Sequence, residues 1–233
     1  YADDFQLSVP SSCGRMGQCH ECIIEITEGM ESLCPKAETE AFLSESFRLA
    51  CQSSVQHSEK NICFSVLSRS PQILTATQTA TLDRDPTVIR KGNDVYYQDE
   101  LIDQFRGGIF GLAIDLGTST IVMELVNLQS CEAIYTCSFE NPQRFGGSDV
   151  MARIRYDTDH RGRLLQRTLL GYLSHAIEKF NCDPASIYEV VIAGNSTMRD
   201  LFFGLDVYSI GQKPYQSLTE KELNRGQCSS TSL

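Results

Sequence analysis

Cys13-Gly14-Arg15-Met16-Gly17-Gln18-Cys19-His20-Glu21-Cys22 runs straight into the apolar stretch Ile23-Ile24-Glu25-Ile26-Thr27. Three thiols fall within ten residues, spaced C-x5-C-x2-C. Gly14 and Gly17 punctuate the longer gap. Glycine has no side chain to clash and takes dihedrals that other residues avoid. The backbone here is therefore free to wrap closely around a small inorganic core. Backbone N–H groups in such a wrap also reach bound sulfur and tune its potential. The pattern suits thiolates converging on an iron–sulfur cluster. A structural zinc site and unligated thiols are the two other readings. Zinc ordinarily takes two C-x2-C knuckles, or one with paired histidines. Only one knuckle is present, and His20 sits inside it.

Outward from the loop, residues 23–27 closed by Gly29 predict a strand and turn. Residues 38–49 carry Phe42, Leu43, Phe47 and Leu49 at helical spacing and predict a helix. Residues 61–67 predict another strand. Either Cys34, before Pro35, or Cys51, just after the expected helix, is placed to be a fourth thiolate. The plant-type spacing is C-x4-C-x2-C with a distant fourth cysteine; loop 13–22 is one residue longer. Residues 1–68 resemble a [2Fe–2S] ferredoxin-type domain of the β-grasp fold, with the longer loop of its adrenal-type branch. In that topology the fourth cysteine lies far along the chain, after a helical crossover. The resemblance therefore favours Cys51 over Cys34 and implies Cys13, Cys19, Cys22 and Cys51 as ligands. That fold opens with a β-hairpin, whereas only twelve residues precede Cys13. The domain is expected to be truncated at its N-terminal side.

Of the ten cysteines, six lie between Cys13 and Cys63, while Cys131, Cys137, Cys182 and Cys228 are scattered. Scattered single cysteines are ordinarily reduced core residues. A reducing, cytoplasmic setting is expected, not a secreted disulfide framework. The formal net charge is −10, with no Lys/Arg cluster. Nucleic acid is a poor partner for such a chain, because phosphate neutralisation supplies most of that affinity. No apolar stretch approaches the roughly 20 residues of a membrane span. The chain starts at Tyr1, inside what reads as a folded segment, and stops at Leu233 in a polar tail. It is expected to be a fragment of a longer protein, so a missing targeting signal carries little meaning.

Residues 69–108 change character. Ser, Thr, Gln and Arg dominate the first part, and Pro71 and Pro86 punctuate it. A linker is expected, with a short helix over 98–105 and an end at Gly107-Gly108. Its composition buries too little surface to offset ordering entropy. The expectation is a mobile tether.

Residues 109–233 read as an α/β domain. Strands are predicted over 109–116, 120–128, 133–139 and 189–193, and helices over 161–180 and 198–203. Asp115-Leu116-Gly117-Thr118-Ser119-Thr120 joins two strands as a hairpin tip. It is not a Walker-type loop, yet its chemistry suits phosphate. Gly117 lets the backbone approach, Thr118, Ser119 and Thr120 offer hydroxyls and amides, and Asp115 is able to hold Mg²⁺ through water. A plain polar turn is the other reading.

This D-x-G-T-[ST]-[ST] hairpin resembles the first phosphate motif of the actin, sugar-kinase and heat-shock-chaperone ATPases. The segments 141–150 and 191–198, with the cysteine domain before them, resemble the reductive activators of corrinoid proteins. The resemblance covers nearly the whole chain in the right order. It implies an α+β molecule: a [2Fe–2S] domain (1–68), a linker (69–108) and an incomplete actin-like, ribonuclease H-like ATPase lobe (109–233). It further implies ATP-dependent reduction of Co(II) to Co(I) in a corrinoid methyltransferase system. ATP, Mg²⁺, a corrinoid protein and a low-potential electron donor come with it. That superfamily binds nucleotide between two lobes, so residues 1–233 alone are expected not to turn over ATP. A plain ferredoxin-type carrier with a docking domain is the alternative. Asn141, Asp149 and Asn195 read equally as helix caps or turn residues.

Overall fold

The computed structural model describes residues 7, 9–11, 13–57, 60–67 and 86–233. The first sheet is built on β1 (Ile23–Glu28), flanked by β2 (Phe47–Leu49) and β3 (Cys63–Val66), both antiparallel to it. Consecutive side chains of a strand face opposite ways, and both faces of β1 are covered. Ile24 and Ile26 pack with Leu33 in a small cluster. Ile23 on the other face, with Leu49 of β2, is 0% exposed and joins a much larger core.

The helix expected over 38–49 is absent. A single 3-10 turn, Glu38–Glu40, leads instead into β2. The Glu40 carboxylate gives the reason. It accepts the amides of Ala37 (2.9 Å) and Leu49 (2.8 Å) and the Arg48 guanidinium at 2.8 and 3.0 Å. Both side chains are buried, at 0% and 1% exposure. A buried charge needs its partners, and these partners require the chain to fold back rather than wind on.

Part of the expected linker is also structured. β4 (Val88–Lys91), β5 (Asp94–Tyr97) and β6 (Glu100–Gln104) form an antiparallel meander in order β4-β5-β6. Gly92, at φ 69°, turns the first hairpin. Val88, Val95 and Ile109 form its core with Phe105, Leu128 and Tyr188, and Arg90 lies 3.4 Å over the Phe105 ring. The helix expected over 98–105 is thus β6, with Leu101 paired to Tyr96. The remainder of the tether expectation, residues 68–85, lies outside the described residues.

The last sheet has the order β10-β7-β8-β9. β7 (Phe110–Leu116), β8 (Thr120–Asn127) and β9 (Glu132–Glu140) are consecutive antiparallel strands, and β10 (Ile187–Gly194) adds in parallel to β7. Between them come α1 (Val150–Asp159) and α2 (Leu164–Glu178), and after β10 come α3 (Ser196–Phe203) and α4 (Leu218–Asn224). Leu112, Ile114 and Leu116 of β7 and Ile121, Met123 and Leu125 of β8 all face Leu165, Leu169, Tyr172 and Leu173 of α2. Each such buried aliphatic side chain contributes about 1.5–3 kcal/mol.

The cysteine-bearing sheet shares this core. Cys22, Ile23, Leu43, Phe47, Leu49 and Leu67 belong to the same apolar cluster as α2. Polar pairs cross the seam: Arg144 to Glu25 at 3.0 Å, the Tyr156 hydroxyl to the Phe42 carbonyl at 2.7 Å, and His175 Nε2 to Glu21 at 3.0 Å. Among the described residues no helix is long and apolar enough to cross a membrane.

Candidate functional site

Cys22 immediately precedes β1, and Cys51 stands two residues past the end of β2. Because Ile23 pairs with Leu49 across the antiparallel ladder, these two cysteines meet at one end of the sheet. Their sulfurs are 3.3 Å apart, and the Ala50 amide donates to the Cys22 carbonyl at 2.8 Å. Burial pushes the Cys22 thiol up to about 12.

The loop before β1 curls tightly. Gly14, Arg15, Gly17 and His20 have φ of 61°, 70°, 74° and 59°. A side chain at Gly17 would press on Gln52 at 3.2 Å, and the Gln52 amide donates to the Arg15 carbonyl at 3.2 Å and Cys51 Sγ at 3.4 Å. The curl turns amides onto the first sulfur. The Cys19 N–H above all, with the Cys19 thiol and the amides of Gln18 and Met16, lowers Cys13 to about 6, against a smaller effect of burial. The four thiols therefore stand as two pairs, Cys13 with Cys19 and Cys22 with Cys51. Among the described residues no three His, Cys, Asp or Glu side chains gather as a site for one metal ion. Two pairs of thiols are the donor set that a two-iron core held by four cysteines takes.

Cys34 points into a different network. Its sulfur accepts the Ser54 amide at 3.3 Å and Arg48 Nη2 at 3.6 Å, and donates to the Gln52 carbonyl at 3.4 Å. The Ser54 hydroxyl foremost, then the Ser54 amide and Arg48, hold its thiol below the ordinary range against the opposing effect of burial. Arg48 also donates to the Cys34 carbonyl at 2.9 Å. The buried Glu40–Arg48 pair thus clamps the 34–37 loop to the strand that delivers Cys51.

The hairpin between β7 and β8 is braced from behind. Asn141 Nδ2 donates to the Gly117 carbonyl at 2.8 Å, Arg153 Nη2 to the Thr118 carbonyl at 2.6 Å, and the Asn141 amide to the Ser119 carbonyl at 2.8 Å. In a planar trans peptide the next N–H points the opposite way, so the Thr118 and Ser119 amides face away from this brace. Asn195 Nδ2 reaches the Thr118 hydroxyl at 3.1 Å. A side chain at Gly117 would collide with the Thr120 carbonyl. Asp115 is exposed on the open face of the sheet, in register with Val122 on β8 and Ala193 on β10.

Asn141, Asp149 and Asn195 each cap a helix, accepting the amides of Gln143, Ala152 and Met198. Asn141 and Asn195 also touch the hairpin. Arg153, buried and lowered by burial to about 10, was not singled out from sequence, because α1 itself was not. The Asp149 cap, with Met151 and Ile154 following, is the signal that marks that helix.

Residues 110–229 match the family model described as RACo middle region. Residues 1–56 match that of the 2Fe-2S iron-sulfur cluster binding domain. Over 113 residues, 46% of this chain, the sequence is 32% identical to the corrinoid activation enzyme RamQ of Eubacterium limosum, of which it covers 19%. A solved reductive activator for corrinoid, iron-sulfur protein has a similar fold, with a TM-score of 0.51 at 19% identity over 90% of this chain. The chain spans 46% of that structure's length.

Proposed function

The chain belongs to the RACo-middle-region family, and from that premise we propose that it is part of an ATP-dependent reductive activator of a corrinoid protein. The observation that carries this reading is the union, on one apolar core, of four cysteines brought together by a loop and β2 and of a braced hydroxyl-rich hairpin. Cys13, Cys19, Cys22 and Cys51 are the residues that would hold a [2Fe–2S] cluster, with the two-pair arrangement as support. When bound, that group supplies a one-electron carrier between a low-potential donor and the corrinoid. The curled loop presents amides to sulfur, and Cys51 arrives on a strand fixed by Glu40 and Arg48.

The outward amides of Thr118 and Ser119, with the hydroxyls of Thr118, Ser119 and Thr120, suit the phosphates of ATP. Asp115 stands beside them as the carboxylate for Mg²⁺ through water, and Gly117 leaves the room a side chain would take. Nucleotide helps the reaction only by favouring a conformation in which Co(II) is easier to reduce to Co(I). The setting proposed is cytoplasmic.

The test uses the full protein, reconstituted without oxygen, a corrinoid protein held as Co(II) and a low-potential donor. Co(I) should form with ATP and not without it. Asp115→Ala should lower that rate by about 10²-fold, the scale of losing one electrostatic contact at a reacting group, with the visible spectrum of the cluster unchanged. Equal rates with and without ATP would instead support a plain electron carrier.

A further inference from the structure

Tyr172 lies on the face of α2 turned toward the cysteine loop. It is 4% exposed and shares an apolar core with Cys22. Its hydroxyl is buried with no hydrogen-bond partner among the described residues. An unpaired buried hydroxyl is costly, and such groups call for an explanation. Here the surroundings supply one. Besides burial, the groups that bear on the phenol are Cys22, Glu21 and Cys19, in that order, and all of them raise its pKa. Thr168, Gly171 and His175, on the same helix face, meet His20 and Glu21, so this unpaired donor is turned toward the stretch of chain that carries Cys19 and Cys22.

The helix is held over the loop by independent contacts. His175 Nε2 meets Glu21 at 3.0 Å, and the Thr168 hydroxyl reaches the His20 carbonyl at 3.5 Å. Gly171 allows this closeness, since a side chain there would stand 2.7 Å from Glu21 Oε1.

We infer that the Tyr172 hydroxyl donates a hydrogen bond to sulfur on the Cys19–Cys22 side of the cluster, so that the docking of α2 on the loop sets the reduction potential. The inference rests on the cluster reading given above. Hydrogen bonds to sulfur stabilise the added electron and raise the potential. Docked, the cluster accepts an electron more readily; with α2 withdrawn, it becomes the stronger reductant. By linkage, reduction must tighten the docking by the same factor.

The experiment is a redox titration of the full protein, followed by the paramagnetic resonance of the reduced cluster, for wild type, Tyr172→Phe, His175→Ala and the double variant. Tyr172→Phe keeps the ring and removes only the donor. Its iron and sulfide content should equal wild type, while its reduction equilibrium shifts about tenfold toward the oxidised form, about 59 mV for one electron. A coupling to an exchangeable proton, seen by comparing H₂O with D₂O, should disappear. His175→Ala should shift the potential in the same direction, and the double variant no further than Tyr172→Phe. An unchanged potential in iron-replete Tyr172→Phe overturns this inference alone. Fully additive shifts overturn the link to docking. A wild-type protein that takes up no iron and sulfide removes the cluster reading and this inference with it.

Discussion

Cys34 and Cys51 differ in what their sulfurs touch. Cys51 faces Cys22, whereas Cys34 faces the Ser54 amide and Arg48. Cys51→Ser should therefore lose most of the bound iron, and Cys34→Ser should keep it, as measured by iron content per chain. The spacing of Cys13, Cys19 and Cys22 was legible because all three lie on one loop. Spacing alone left Cys34 and Cys51 both open, because the nearness of Cys51 to Cys22 depends on the Ile23–Leu49 register. Glu40 belongs at this scale too. Burial disfavours its charge, yet Arg48 and the amides of Ala37 and Leu49 outweigh that and hold its pKa below 4.5. Its contribution is present above the unfolded value and is lost as pH falls through the lowered one. Glu40→Gln leaves Arg48 buried without a counter-charge and should cost about 3–5 kcal/mol. Urea midpoints should show that loss at neutral pH and a difference from wild type that shrinks in acid.

The elements built from strong alternation or four-residue spacing were readable, and those shaped by polar contacts were not. β7, β8 and β9 fall within a residue or so of the expected 109–116, 120–128 and 133–139. The predicted helix over 161–180 is α2, shortened because Arg163 takes a left-handed conformation just before it. The apolar spacing of 38–49 misled, because a buried ion pair overrode it. The meander β4–β6 was hidden by its charge: each strand buries little, as in Glu100–Gln104, where no residue is fully buried. Helix α3 was legible from its ends, Asn195 at the start and Gly204, at φ 66°, past the end. Asn195→Ala removes both the cap on Met198 and the bond to Thr118. Thermal unfolding should show a loss of about 1 kcal/mol, the usual cost of an N-cap.

For the molecule as a whole, the seam between the cysteine sheet and the α/β lobe decides how the two parts act together. Burial opposes charge on His175, but the carboxylates of Glu21 and Glu178 outweigh it and raise its pKa above 6.5. A raised pKa means the stabilisation is fully present below the unfolded value and is lost as pH rises through the folded one. Protease cleavage between the two parts should therefore speed up as pH rises from 6 toward 8, and His175→Gln should remove most of that dependence. A seam this apolar was not visible in the sequence, because Ile23 and Leu49 read as the private core of a small domain. The parallel pairing of β10 with β7 has a further consequence, in the order of folding. β7, β8 and β9 are neighbours along the chain and close quickly. β10 must instead close a loop running from Leu116 to Ile187, and contacts so distant in sequence form slowly. Helix α2 lies inside that loop, so the surface that receives the cysteine sheet is finished only when β10 arrives. The thiol loop is made first and gains its cover last, which leaves its sulfurs open to solvent, and to incoming iron and sulfide, for most of the time the protein takes to fold.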